Sequence, residues 1–309
     1  MEQIGAKRMK CALKIWLPFY RNPNFAPAHE AALLKMSAST LERILHAVRQ
    51  AMRPQGWGLT QKGSYPLLMH RIPIQTKDFN IQAPGHLEGV TVHHCGGSVL
   101  GEYVHTLTHT DIFSSWTELR AIPNRAASSV LEATKDMKIC LPFPILSADY
   151  DNGSEFINYE MENYFVGRKN PVHFVRSRPY KKNDQCFVEQ KNFTHVREIF
   201  GYDRIMGREL AIQMTRIYKE LWCPLHNYFL PAQKLLSKTR VGARYVKRYD
   251  LPRTPYQRLL ESADLSGEAK TALEMHYEKL NPFDLRLGLE MELKSFFELF
   301  NQQQHSKAA

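Results

Sequence analysis

A chain of 309 residues, 43% of them hydrophobic and 23% charged, has the make-up of a globular protein with room for one medium domain and one or two small ones. No apolar run approaches the roughly 18 residues that cross a bilayer, and the first residues lack a signal-peptide pattern; a cytoplasmic protein with no membrane partner is expected. Five scattered cysteines without a CxxC spacing argue against a zinc ribbon, and a net charge of +10 suits an anionic partner.

Residues 1–51 read as a helix-turn-helix-like DNA-binding region. In AALLKMSASTLERILHAVRQ, Ala31 to Lys35 close one helix and MSAS forms the turn. Ser39 is expected to cap a second helix reaching Gln50, with Leu41, Ile44, Leu45 and Val48 as its apolar stripe. Arg43, His46 and Arg49 then lie toward the other face, where DNA contact is one reading and an amphipathic hairpin packed on a core is the other. Residues 52–84 carry prolines and glycines but no sustained period, and read as a linker.

Residues 85–215 change in texture. LEGVTVHH and GEYVHTLTHTDIF are rich in β-branched residues around a CGGSVL turn, and a third strand is expected over Trp116 to Ile122. A helix in AASSVLEATKDM, a strand in PFPILSAD, a helix in EFINYEMENYFVGR, a strand in PVHFVRSRP and a helix in DQCFVEQKNFTHVREIFG follow. That order predicts a mixed α/β domain. Residues 216–309 read as a basic, partly helical C-terminal region. From Lys234 to Arg258 there are eight Lys/Arg against one acid, Asp250. Lys238, Arg240, Arg244, Lys247 and Arg248 are candidates for phosphate contact, the alternative being a solvated basic linker.

Two acids stand where metal chemistry would want them. Asp151 follows an apolar strand, with Asn152-Gly153 allowing a sharp turn. Glu189 lies 38 positions later on a helix whose neighbours Lys182, Lys191, His195 and Arg197 suit a phosphate backbone. His93, His94 and Cys95 are adjacent on a strand, so at most alternate members could converge on one ion.

The elements DNGSEF, RSRPYKKND and VEQKNFTHVR together resemble the integrase-type catalytic core of bacterial insertion-sequence DDE transposases, whose fold retroviral integrases share. MSASTLERIL, CGGS, TLTHTDIFSSWTE and KTRVGARYVKRYDLPRTPYQRLL extend the resemblance over most of the chain. It implies a ribonuclease-H-like core, a mixed five-stranded sheet with flanking helices. It also implies transposition by phosphoryl transfer at DNA ends, target DNA as a second partner, a homo-oligomer on DNA, and two Mg²⁺ ions with Mn²⁺ as an alternative. Asp151 and Glu189 match the family's second and third acids, both catalytic and metal-binding.

The first acid of the family falls four positions before the His of His-Cys-Gly-Gly, and that position here is Val90. Glu88, two residues earlier, is a weak substitute, about 6–7 Å along the same strand face. Asp111 is disfavoured: a hairpin about Gly97 pairs Val90 with approximately Thr106, leaving Asp111 on the order of 17 Å away. The expected activity is therefore an impaired transposase, or a catalytically inactive, transposase-derived DNA-binding protein.

Overall fold

The computed structural model describes residues 4–51, 56, 68, 71–74, 81–178 and 186–308. Most of the expected linker, 52–84, lies outside them, as does Lys182. Among the described residues no helix is long and apolar enough to cross a membrane.

Five strands form the central sheet: β1 (His86–His93), β2 (His105–Asp111), β3 (Thr117–Ile122), β4 (Ser147–Tyr150) and β5 (His173–Arg176), in the spatial order β3-β2-β1-β4-β5. β1–β2 and β2–β3 are antiparallel, whereas β1–β4 and β4–β5 are parallel. The two antiparallel pairs need only short turns. The parallel pairs need crossovers, which α4 (Ala127–Ile139) and α5 (Tyr159–Val166) supply. This is the ribonuclease-H-like, integrase-type arrangement expected from the sequence. β2 and β3 are buried at every position and β1 at all but its two ends, so helices cover both faces of the sheet.

The β1–β2 register differs from expectation by two residues: Val90 pairs with Thr108, and Thr106 faces Val92. The connection runs from His94 to Val104 instead of turning tightly at Gly97. Its shape is fixed from outside, because the Arg204 guanidinium donates to the carbonyls of Cys95, Ser98, Leu100 and Glu102.

At the N-terminus, α1 (Ala6–Trp16), α2 (Pro27–Lys35) and α3 (Ala38–Ala51) pack together through Ala6, Leu13 and Leu41. The cap of α3 is Ser37, not Ser39: its hydroxyl accepts from the Thr40 N–H at 3.1 Å. Of the expected apolar stripe Leu41 is buried, while Ile44 and Val48 are 55% and 44% exposed, because only one edge of α3 meets α1. The other face of α1 is tied to the far end of the chain. Trp16 Nε1 donates to the Phe229 carbonyl, and the Trp16 ring meets Phe283 edge-on.

Beyond the sheet come α6 (Cys186–Lys191), a π-helical segment (Asn192–Arg197), α7 (Glu198–Phe200) and α8 (Arg208–Ile217). Two more π-helical segments follow, Tyr218–Trp222 and Leu225–Phe229. The basic block, which could have been a solvated linker, is a β-hairpin of β6 (Leu235–Val241) and β7 (Arg244–Tyr249). Its two-residue turn holds Gly242 at φ +60°, a value glycine adopts without strain and one that matches the twist of the flanking strands. The helices α9 (Pro255–Glu261), α10 (Gly267–Tyr277) and α11 (Pro282–Ala308) close the chain.

Candidate active site and nucleic-acid interface

β1 and β4 run parallel at the centre of the sheet, with Glu88 paired to Asp149 and Gly89 to Tyr150. One residue past the last pair stand Val90 and Asp151. The register thus sets Val90, within β1, beside the carboxylate that follows the C-terminal end of β4, where an α/β sheet presents its functional groups.

Asp151 opens the loop. Its Oδ1 accepts from the Gly153 N–H at 2.9 Å, and its carboxyl is pushed up to about 6 by burial and then by the charge of Glu155. A Cβ at position 153 would stand 2.5 Å from Glu155 Oε2 and 2.9 Å from Asp151 Oδ1, so any side chain here would displace the two carboxylates. The same point bounds their oxygens at about 5.4 Å apart. Glu155 is buried, accepts from the Thr91 hydroxyl at 3.1 Å, and has the Arg125 guanidinium at 3.9 Å. Asn152 ties the loop to the end of β5, donating to the Ser177 carbonyl and accepting from Arg176. The Asp-Asn-Gly sequence is thereby a built corner with its acid at the C-terminal end of β4.

Glu189 lies in the first turn of α6, exposed, one residue after buried Val188. The start of that helix is fixed by Glu88. This carboxylate is fully buried, and its Oε2 accepts from the backbone N–H groups of both Phe187 and Val188 at 3.0 Å. Two of the helix's first donors are satisfied, and a negative group faces the positive end of its dipole. Glu88 holds the acid-bearing helix on β1. Asp111, opposite Leu87, is consumed as a turn staple that accepts from the N–H groups of Gly85, His86 and Ser114 and from the Ser114 hydroxyl. Among the described residues no three of His, Cys, Asp and Glu are grouped to hold a metal ion.

The basic candidates divide by environment. Arg43 is exposed on α3, whereas Arg49 is paired with Glu42 and donates to the Ile4 carbonyl. Two residues expected to face a phosphate backbone lie inside. Arg197 is buried and donates to the carbonyls of His93 and Gly201, with its guanidinium over the Tyr202 ring. Lys191 has its Nζ 3.3 Å from His226 Nε2, and burial beside Arg8 and Arg258 pushes its ammonium down to about 7. Charge alone does not fix which way a helical side chain points.

The hairpin is the opposite case. All its residues are exposed, including Lys238, Arg240, Arg244, Lys247 and Arg248. Lys238 stands directly across from Lys247, an arrangement that disfavours the isolated sheet, and its Nζ lies over the Tyr245 ring at 4.6 Å. The block's one acid does not offset this charge: Asp250 pairs with Arg258 at 2.7 Å at the hairpin's base. Sequence patterning missed the Glu88 cap and the Arg204 clamp, which join residues about a hundred positions apart. The Val-Gly-Ala-Arg turn was a signal available in the sequence.

No protein-family model matches the chain. A protein of Sinorhizobium fredii (strain NBRC 101917 / NGR234), uncharacterized protein y4rM, is 34% identical over 261 residues, covering 83% of this chain and 73% of its own length. Solved structures are similar at a low level. One is a chain of the simian T-cell lymphotropic virus intasome in complex with PP2A regulatory subunit B56 gamma, at 14% identity, 74% and 69% coverage of the two chains and a TM-score of 0.36. Another is the BIV integrase catalytic core domain, at 16%, 58% and 96%, with a TM-score of 0.35. A third is the HTLV-2 integrase catalytic core domain in complex with magnesium, at 18%, 35% and 66%, with a TM-score of 0.28. At such scores the strand order and directions, not the superpositions, define the fold.

Proposed function

We propose that this chain, which belongs to the same family as the Sinorhizobium fredii protein y4rM, is a DNA-handling protein of the insertion-sequence transposase type, able to hold DNA ends but impaired in cutting them. The observation that carries this reading is Val90 beside Asp151 where β4 ends, one residue past the last β1–β4 pair.

Cleavage and strand transfer in intact relatives need an acid at that place to bridge two Mg²⁺ ions, which demand hard oxygen ligands in near-octahedral geometry. The residues here do not fit that requirement. Valine supplies no oxygen, and Glu88, the nearest acid on that strand face, has an oxygen engaged by two α6 N–H groups. Asp151 and Glu189 remain as two of three acids. What the chain's own residues support is binding. The exposed hairpin presents Lys238, Arg240, Arg244, Lys247 and Arg248 to phosphates, Tyr245 and Tyr249 can stack, and Arg43 adds an exposed cation on α3.

The second reading, a DNA-binding protein with no catalysis that occupies ends or sequesters active subunits, is favoured by the same valine. Both predict retention of end-containing duplex with a steep salt dependence. They differ in slow nicking under Mg²⁺ or Mn²⁺ over long incubations. Failure to retain duplex DNA at low salt would remove both.

A further inference from the structure

The β6–β7 hairpin is fixed at its base and exposed along its length. At the base the Lys234 N–H donates to Asp250 Oδ1 at 2.7 Å, Asp250 pairs with buried Arg258, and the Lys234 ammonium donates to the Phe113 carbonyl just beyond β2. From there every residue of both strands is exposed. A two-stranded sheet with no packed face is marginal in water, so this one gains most from a partner that fits it.

The register sorts its side chains. Cross-strand partners share a face, so Lys238 with Lys247 and Arg240 with Tyr245 stand on one side, and Tyr249 continues it. The Lys238 ammonium, 4.6 Å over the Tyr245 ring, shows these positions converging. The reverse face is made of Ser237, Thr239, Val241 and Val246, with Arg244 at the tip and Arg248 toward the base. No acid occurs between Leu235 and Tyr249. Strands of 7 and 6 residues make a ribbon roughly 20 Å long, about six base-pair steps of a duplex. The major groove of B-form DNA, about 12 Å wide, admits a two-stranded ribbon, whereas the minor groove is only about 6 Å wide.

We infer that this hairpin is a groove-reading ribbon that lies in the major groove of B-form DNA, with its Lys238–Lys247 face toward the base edges. The inference rests on the DNA-binding reading above and names the duplex form and the groove. Lys238 and Lys247, on opposite strands of the ribbon, serve the phosphates of the two rims. Arg240 is nearer the turn, where its Nε donates to the Gly242 carbonyl at 3.2 Å and holds the guanidinium at the tip. Its planar fork matches O6 and N7 of guanine, which both face the major groove.

Base analogues in end-containing duplex separate the grooves. Replacing guanine by 7-deazaguanine removes the N7 acceptor from the major groove, and replacing it by inosine removes the amino group from the minor groove. For the full chain, 7-deazaguanine should weaken binding about tenfold, the scale of one lost base contact, and inosine should leave it within about twofold. Arg240→Ala should weaken binding by a similar factor and abolish the response to 7-deazaguanine. Arg248→Ala, on the reverse face, should keep that response. Duplex RNA of the same sequence should compete about tenfold less well, because its major groove is too deep and narrow for side chains to read. The inference is overturned if binding ignores 7-deazaguanine, if Arg240→Ala keeps the full response to it, or if duplex RNA or the unpaired DNA strand binds as tightly as the DNA duplex. In each of those cases DNA is still retained and the functional reading stands. A chain that retains no duplex at low salt removes the functional reading and this inference together.

Discussion

Lys191 and Lys247 are both lysines in basic neighbourhoods of the sequence, and the fold treats them in opposite ways. Lys191 is drawn inside against His226, and Arg197 spends its donors on two backbone carbonyls. Lys247 stands on an exposed ribbon, directly across from Lys238. Cations of the first kind are structural members whose loss should register as stability. Those of the second kind weaken their own hairpin and gain only when an anion arrives, so their loss should register as salt dependence. Positive charge in this chain therefore serves two purposes that composition cannot separate.

The comparison is most open to refutation at Arg197. Arg197→Ala removes two buried donations and a stacking contact and leaves the His93 and Gly201 carbonyls to be satisfied anew, so a loss of about 3 kcal/mol is expected. Urea denaturation measures it, and the salt slope of DNA binding should not move. A stable variant with a shallower slope would place Arg197 with the surface group.

Acid should strike the core before the hairpin. Burial pushes His105 and His109 down to about 3 from an unfolded value of 6.5. The unfolded chain then binds the extra protons. Their contribution is fully present above pH 6.5 and is lost as pH falls toward the folded values. Each should account for about 2 kcal/mol between pH 6.5 and 5. Denaturant midpoints across that range check it, and His109→Gln should remove its share of the slope.

The hairpin should answer least in stability. Lys238→Ala combined with Lys247→Ala relieves a like-charge pair, so stability should stay within about 0.5 kcal/mol of the parent or rise. The slope of log K against log salt should fall by roughly two units. An unchanged slope would make the ribbon a solvated arm.

The chain's local patterns disclosed much of this. Alternating β-branched runs located β1, β2 and β3, and the Asp-Asn-Gly corner announced the end of β4. The resemblance carried by DNGSEF and VEQKNFTHVR implied a mixed five-stranded sheet with flanking helices, which the structure bears out. What local pattern could not supply was register and orientation. Val90 pairs with Thr108 because the connection after β1 is held open by Arg204, a residue about a hundred positions away. Glu88 looked like a spare ligand, but its carboxylate caps a helix that begins at Cys186. Both facts depend on long-range contacts. The basic hairpin is different: its turn glycine and its alternation were local, and the density of charge masked them.

Val90 is tested directly by single-turnover nicking of end-containing DNA by the chain as it stands and by Val90→Asp, in Mg²⁺ and in Mn²⁺, with melting temperature followed in parallel. An aspartate at this 8% exposed position should lower the melting temperature when divalent ions are chelated and recover it when they are added, since a buried carboxylate is costly until it gains a counter-charge. Nicking should rise by about 10²–10³ over the parent, the usual size of one preorganised electrostatic group. If the parent already nicks as fast as Val90→Asp, and the variant's melting temperature ignores the cation, then position 90 is not where the missing acid belongs and the account fails.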